Sequence, residues 1–346
     1  MTRIAVDLLG EGLPAGPLLE ALPAALDADP RLVLILVTAG DGVEAELDRL
    51  GIAPGERVLL RSASQPVEGG PQALRDVRGR RDSGVRVAAR LVRDGEADAM
   101  VSVAPVESVL AAAQFTHGLL PGATRALLAA VLGEGGVGTV LCDAGAAGFG
   151  AADEFAQSAL LGGVYAALRF SVREPRVGLL AARGALADPL REAADELLRT
   201  LDVNYVGPRT ADLVLAAATR ASHRTDRSLE VVVTDGYTGD IVLSTVRGVV
   251  DRRRRGGGVS GGTELDPAWG TLEDPDVRGG TIVLGVDGVA VHADRGGGGS
   301  VDAGGDGLLA AMRVASLAVR GDLVARNRAA LATLVARRRA RAGLVG

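Results

Sequence analysis

The chain contains no lysine: each of its 38 basic residues is an arginine. That absence removes Schiff-base and pyridoxal-phosphate chemistry, which need a lysine amine, and the lysine-bearing phosphate loop of P-loop nucleotidases. Aromatic residues are also scarce, at 2% of a sequence that is 47% hydrophobic. The core must therefore be assembled from alanine, valine and leucine. Few aromatics and a net charge of -5 argue against a nucleic-acid-binding surface. The single cysteine, Cys142, excludes a disulfide framework and most cysteine-ligated metal sites. Three scattered histidines, His117, His223 and His292, argue against a histidine-rich zinc site. No apolar run approaches the ~20 residues of a membrane-spanning helix, and the N-terminus lacks a signal-peptide pattern. These features point to a cytoplasmic protein.

What is present is an alternation of strand and helix. Strands are expected at 4–7, 32–37, 57–60, 97–102, 137–143, 176–180, 204–206 and 231–234. Helices are expected at 17–26, kinked at Pro23, and at 43–50, 106–116, 153–168, 189–200 and 212–221. A further helix follows Asp82-Ser83, with Val85, Ala88, Ala89 and Val92 on one face and Gly95 as its stop. Residues 66–81 are polar and read as partly loop. This order predicts a mostly parallel, doubly wound α/β sheet. The pattern breaks at 252–278, an arginine- and glycine-rich stretch expected to be a flexible insertion in a single domain spanning 1–346. A strand pair at 279–292 turns at Asp287-Gly288, and a glycine-rich loop is expected at 294–307. Helices at 308–319 and 322–341 close the chain. The last carries Arg337, Arg338, Arg339 and Arg341, cations that suit a helix C-terminus and would also suit anionic lipid.

The most informative stretch is 230–250, EVVVTDGYTGDIVLSTVRGVV. Three valines mark a strand buried on both faces. A turn with two glycines follows, and after Asp240 the apolar positions take a helical period, with Thr238 or Asp240 as N-cap. Such a loop presents backbone N–H groups at the positive end of a helix dipole, which suits a phosphate or a developing oxyanion. An ordinary βα turn of a doubly wound sheet would read the same way.

Five stretches in order carry a resemblance. VVVTDGYTGDIVLSTVRGVV at 231–250 is close to a VVVTDGFTGN stretch of a known family. RDSGVRVAARLVRDGEADAMVS at 81–102 is similar to the helix and strand preceding that family's Ser-Ala-Gly-Asn-Thr-Gly-Ala loop. PRVGLL at 175–180, NYVG at 204–207 and GGTIVLGVDGV at 279–289 complete the set. Together they resemble the phosphate acyltransferase family of bacterial phospholipid synthesis (PlsX), nearly end to end.

The resemblance implies a three-layer α/β/α fold like the isocitrate and isopropylmalate dehydrogenases, and no cofactor or metal. It implies transfer of an acyl group from acyl carrier protein to inorganic phosphate. It also implies a homodimer, with a peripheral membrane contact as a further expectation. Carried over residue by residue, it makes Asp235, Thr238, Asp240 and His292 the catalytic candidates. Gly10, Ser102, Asp143, Gly145, Gly236 and Gly239 become the phosphate- or substrate-binding candidates. His292 also reads as a strand-end histidine, and Cys142 as core.

The polar loops depart from the family. Asp7 and Gly10 survive in DLLGEG while a later Gly-Asp does not. Ala104-Pro105-Val106-Glu107 replaces Gly-Asn-Thr-Gly, and a usual lysine is missing near 181–185. Asp240, Ser244 and Arg247 stand for Asn, Lys and Glu. An eroded paralogue acting as a binding or regulatory subunit is the alternative these changes raise. A phosphotransacetylase-like enzyme using acetyl-CoA is another.

Overall fold

A computed structural model of the chain describes residues 1–10, 15–40, 42–133, 138–146, 150–182, 188–212, 214, 229–254, 280–294 and 303–343. Runs such as LVLILV at 32–37 and VVV at 231–233 form strands of the sheet, because a strand covered on both faces needs apolar side chains at successive positions. The chain divides into two compact units. One comprises Met1–Gly118 with Arg278–Gly321, the other Leu119–Val277 with Asp322–Gly346.

The first unit holds β1 (Thr2–Asp7), β2 (Leu32–Thr38), β3 (Val58–Ser62) and β4 (Ala99–Ser102), followed late in the chain by β10 (Gly280–Leu284) and β11 (Val289–Ala293). Their order is β3-β2-β1-β4-β11-β10. All pairs are parallel except the β10–β11 hairpin, which forms around Asp287-Gly288 as expected. β2 is buried at all seven positions, whereas β3 at the edge is largely exposed.

Two helices, α1 (Gly16–Leu19) and α2 (Leu22–Ala28), replace the single kinked helix expected at 17–26. The break precedes Pro23, which sits in the first turn of α2, where a missing N–H costs nothing. They are followed by α3 (Val43–Arg49), α4 (Ala73–Gly79), α5 (Gly84–Arg93) and α6 (Val106–His117), with α10 (Ala303–Arg320) at the end of the unit. α4 lies in the polar stretch expected to be partly loop. It buries only Ala73 and Val77, so its apolar stripe is too thin to read as a helix from sequence.

The second unit holds β5 (Leu127–Leu132), β6 (Thr139–Cys142), α7 (Ala152–Phe170), β7 (Arg176–Leu180), α8 (Pro189–Leu198), β8 (Asn204–Arg209), β9 (Val231–Val233), α9 (Gly236–Arg254) and α11 (Leu323–Gly343). Its strand order is β5-β6-β9-β7-β8, with β5 antiparallel to β6 and the rest parallel. β5 was not expected. Its sequence, LLAAVL, is a short apolar run with one β-branched residue, which suits a buried helix as well as a strand.

Two boundaries move. α9 runs to Arg254, so the stretch expected to become a flexible insertion at 252 is still helical there. α10 opens at Ala303, so the glycine-rich loop expected to reach 307 ends in helix. Residues 255–278 and 295–302, and most of the helix expected at 212–221, lie outside the described residues. Among the described residues no helix is long and apolar enough to cross a membrane.

Candidate functional site

β9 delivers the chain to α9, and the turn between them is tighter than the sequence suggested. α9 opens at Gly236, not after Asp240, because Asp235 caps it. The Asp235 Oδ1 accepts the Thr238 N–H at 2.9 Å, and the Gly239 N–H reaches the Asp235 carbonyl at 2.9 Å. The expected caps, Thr238 and Asp240, therefore lie inside the first turns. The N–H groups of Gly236 and Tyr237 have no acceptor within the helix, as at any helix start.

Asp235 is held from a second direction. Thr238 donates its hydroxyl to Asp235 Oδ2 at 2.7 Å, and Arg191, from the first turn of α8, pairs with the same carboxylate. Arg191 also reaches Thr238 Oγ1 at 3.2 Å, the Leu180 carbonyl at 3.1 Å, and Asp188, which caps α8. Burial alone would raise the Asp235 pKa. The two Thr238 hydrogen bonds and the Arg191 charge outweigh it and hold the carboxyl below its usual value. Asp235 is thus a fixed anion that ties α8 to the start of α9.

The loop after β6 meets that start. Asp143 is fully buried and its acceptors are filled. Oδ1 takes the N–H groups of Leu128 (3.2 Å), Gly145 (3.1 Å) and Ala146 (2.9 Å), while Oδ2 takes Arg125 at 2.7 Å. Arg125 also pairs with Glu154 at 2.9 Å. Burial pushes the Asp143 carboxyl up, opposed by Arg125 and the Ala146 and Leu128 amides. Gly239 rests on the Asp143 carbonyl so closely that a Cβ would lie 1.8 Å from that oxygen. Gly145, at φ 121°, brings its Cα beside Asp240, whose Cβ would be 3.4 Å from an added methyl. Asp240 is exposed at this junction, with Ser244 donating to its Oδ1 at 3.4 Å.

The remaining candidates lie at strand ends of the first unit. Ser102 is fully buried and donates to Asp7 Oδ2 at 2.6 Å, while its Oγ accepts the Ala104 N–H at 3.1 Å. Asp7 is itself fully buried. It accepts the Leu9 N–H at 3.1 Å, and burial pushes its carboxyl up to about 7. Gly84, opening α5, sits so close that a Cβ would clash with Asp7 Oδ1 at 1.9 Å. His292 is half-buried and stands in register with Ser102 on the neighbouring strand. Gly10 is buried three residues beyond Asp7.

The predicted residues thus form two groups. Asp143, Gly145, Asp235, Gly236, Thr238, Gly239 and Asp240 converge in the second unit, while Gly10, Ser102 and His292 belong to the first. Sequence reasoning missed Arg125 and Arg191, and it noted Asp7 as a surviving loop residue without making it a candidate. The one available signal was the lack of lysine, which leaves every cationic task to arginine without saying which arginine. Cys142 is buried core, as expected. Among the described residues no group of three or more His, Cys, Asp or Glu is placed to hold a metal.

A doubly wound α/β chain whose glycine-rich loops close over a helix start has the fold of the phosphotransacylases. The chain covers 94% of a Streptococcus pyogenes phosphotransacetylase at a TM-score of 0.55 and 19% identity, with 90% of its own length matched. It covers 99% of an Enterococcus faecalis branched-chain phosphotransacylase at 0.55 and 13%, with 92% matched. Sequence takes the assignment further. Residues 2–254 match the fatty acid synthesis protein family, and the chain belongs to it. It is 33% identical over 315 residues to the phosphate acyltransferase of Myxococcus xanthus, covering 84% of both chains. It is 31% identical over 250 residues to that of Bacillus pumilus, with 71% of this chain and 70% of the relative covered.

Proposed function

We propose that the protein is a phosphate acyltransferase that makes acyl phosphate from acyl carrier protein thioester and inorganic phosphate, as a step of phospholipid synthesis. The observation that carries this reading is the junction at Gly239. The start of α9 is pressed onto the loop after β6, so that two glycine-rich backbones meet at the positive end of a 19-residue helix. In the reaction a phosphate oxygen attacks the thioester carbonyl. The C–O bond forms, a tetrahedral oxyanion develops, and the C–S bond breaks as the thiolate leaves and takes a proton. No protein nucleophile is needed. The site has only to hold a dianion near the thioester and stabilise the oxyanion.

Backbone amides can do both, and they survive the side-chain departures of these loops. Asp235, Thr238 and Arg191 fix the helix start, and Asp143 with Arg125 fixes the loop opposite. The buried, bond-filled Asp143 and Ser102 suit loop organisation better than direct phosphate contact. On the same reading the protein works in the cytoplasm as a homodimer, which light scattering would reveal. The deciding assay supplies carrier-protein thioester and phosphate and measures acyl phosphate by hydroxylamine trapping alongside free thiol. Equal yields of both are expected. Product from acetyl-CoA but none from the carrier thioester would replace this reading with a phosphotransacetylase.

A further inference from the structure

The segment that carries α4 and α5 holds more positive charge than its own carboxylates can neutralise. Between residues 73 and 94 stand seven arginines against three aspartates, a surplus of four positive charges in a chain of net charge -5. Asp82 is held by Ser64 and Gln65, and Asp94 by Arg93. Arg78, Arg81 and Arg90 make no salt bridge among the described residues.

At the centre is Phe115 of α6, 44% exposed. The Arg86 guanidinium lies 4.6 Å from its ring centre and that of Arg78 5.2 Å away. Arg86 is only 7% exposed, yet among the described residues it has no carboxylate partner. Its Nη1 reaches the Val77 carbonyl at 3.4 Å, and its buried Nε has no acceptor among the described residues. Burial, then Arg90, Arg93 and Arg81, lower its pKa. A nearly buried cation ringed by like charges is a costly arrangement that an incoming anion would relieve. Leu74, 45% exposed on α4, adds an apolar contact.

We infer that Phe115 with Arg78 and Arg86 over its ring, and with Arg81 and Arg90 in electrostatic reach of Arg86, forms a docking surface for a carboxylate-rich protein face, that of the acyl carrier protein bearing the thioester. The inference rests on the proposed function for the identity of the partner. Planar guanidinium forks pair bidentately with carboxylates, and an exposed aromatic flanked by arginines is the composition of an interface anchor. A membrane fits less well. α5 spends its apolar face, Val85, Ala88, Ala89 and Leu91, in the core, leaving no amphipathic face to insert. A second copy of the chain fits less well too, since a two-fold contact here would set arginine against arginine.

The test uses the full chain, labelled acyl carrier protein and the double variant Arg78→Glu/Arg90→Glu, with Phe115→Ala as a second variant and Arg31→Glu as an exposed control outside the patch. Fluorescence anisotropy should show binding weakened about tenfold or more, ~1.4 kcal/mol, in the double variant, and a fall with added salt in the wild type. Phe115→Ala should weaken binding as well, and the control should not. The KM for carrier-protein thioester should rise with it while the KM for phosphate holds. Unchanged carrier affinity in folded variants would overturn the proposal, as would arginine-dependent binding to phosphatidylglycerol vesicles without arginine-dependent carrier binding. The two readings fail separately. Arginine-dependent carrier binding by a protein that makes no acyl phosphate would keep the docking surface and end the proposed function. Acyl phosphate made with an unaltered carrier KM would do the reverse.

Discussion

Asp240 is the residue at which activity is set against the chain's own departures. Capping by Asp235 removes the harmless role the sequence left open for Asp240, and its exposed position beside Gly145 puts a carboxylate at the meeting of the two loops. A negative charge there opposes a phosphate dianion. Asp240→Asn should therefore raise kcat/KM for phosphate about tenfold, ~1.4 kcal/mol of transition-state stabilisation. An unchanged value would mean that the carboxylate points away from the bound anion. Arg191 acts at one remove, through Asp235 and Thr238. Arg191→Lys keeps the charge but loses the fork that spans Asp235, Asp188 and the Leu180 carbonyl. It should raise the phosphate KM severalfold with a modest loss of melting temperature, and Arg191→Ala should do both more strongly. A melting temperature that falls with no change in the phosphate KM would make the pair purely structural.

At the scale of elements, two glycines of α9 make opposite predictions. Gly239 has no room: an added methyl would strike the Asp143 carbonyl at 1.8 Å. Gly239→Ala should push the helix start off the loop after β6, cost roughly 1–3 kcal/mol in denaturant unfolding and abolish most activity. Gly248, exposed further along the same helix, meets nothing within 4 Å. There Gly248→Ala should stabilise by about 0.5–1 kcal/mol and leave activity alone. Equal effects at the two positions would refute the close contact. β5 shows why some elements escape a reading of the chain. LLAAVL carries the right hydrophobicity, but neither alternation nor length separates strand from helix, and its pairing partner β6 decides the matter. α9 shows the converse. Its existence was legible from the apolar period after Asp240, but its first residue depended on which carboxylate turned inward to cap it.

For the whole molecule the buried carboxylates set the dependence of stability on pH. Asp7 has a folded pKa raised to about 7 from 3.8 because it is fully buried. A raised carboxyl favours the fold most below its unfolded pKa. That contribution is lost as pH rises from about 4 through 7, by a total on the order of 4 kcal/mol. Asp143, also raised by burial, adds in the same direction. Unfolding free energy measured in urea should therefore include a decline from pH 5 to pH 8 that Asp7→Asn flattens, the variant being relatively more stable at the alkaline end. A variant whose curve parallels the wild type would show that Asp7 titrates normally.

By itself the sequence determined the alternation of strands and helices, the parallel sheet, the family, and the absence of any lysine chemistry. The alternation, the sheet and the lysine exclusion follow from local composition and spacing, and the family from the resemblance of its motifs, none of which needs knowledge of distant neighbours. Only the tertiary structure decided which of 38 arginines do anything. Arg191 meets Asp235 across 44 positions, and Ser102 meets Asp7 across 95. Arg86 shares Phe115 with Arg78, and no carboxylate among the described residues reaches it. Each of these depends on contacts closed over long loops, and a charged side chain looks the same in sequence whether it ends in water, in an ion pair or under a ring.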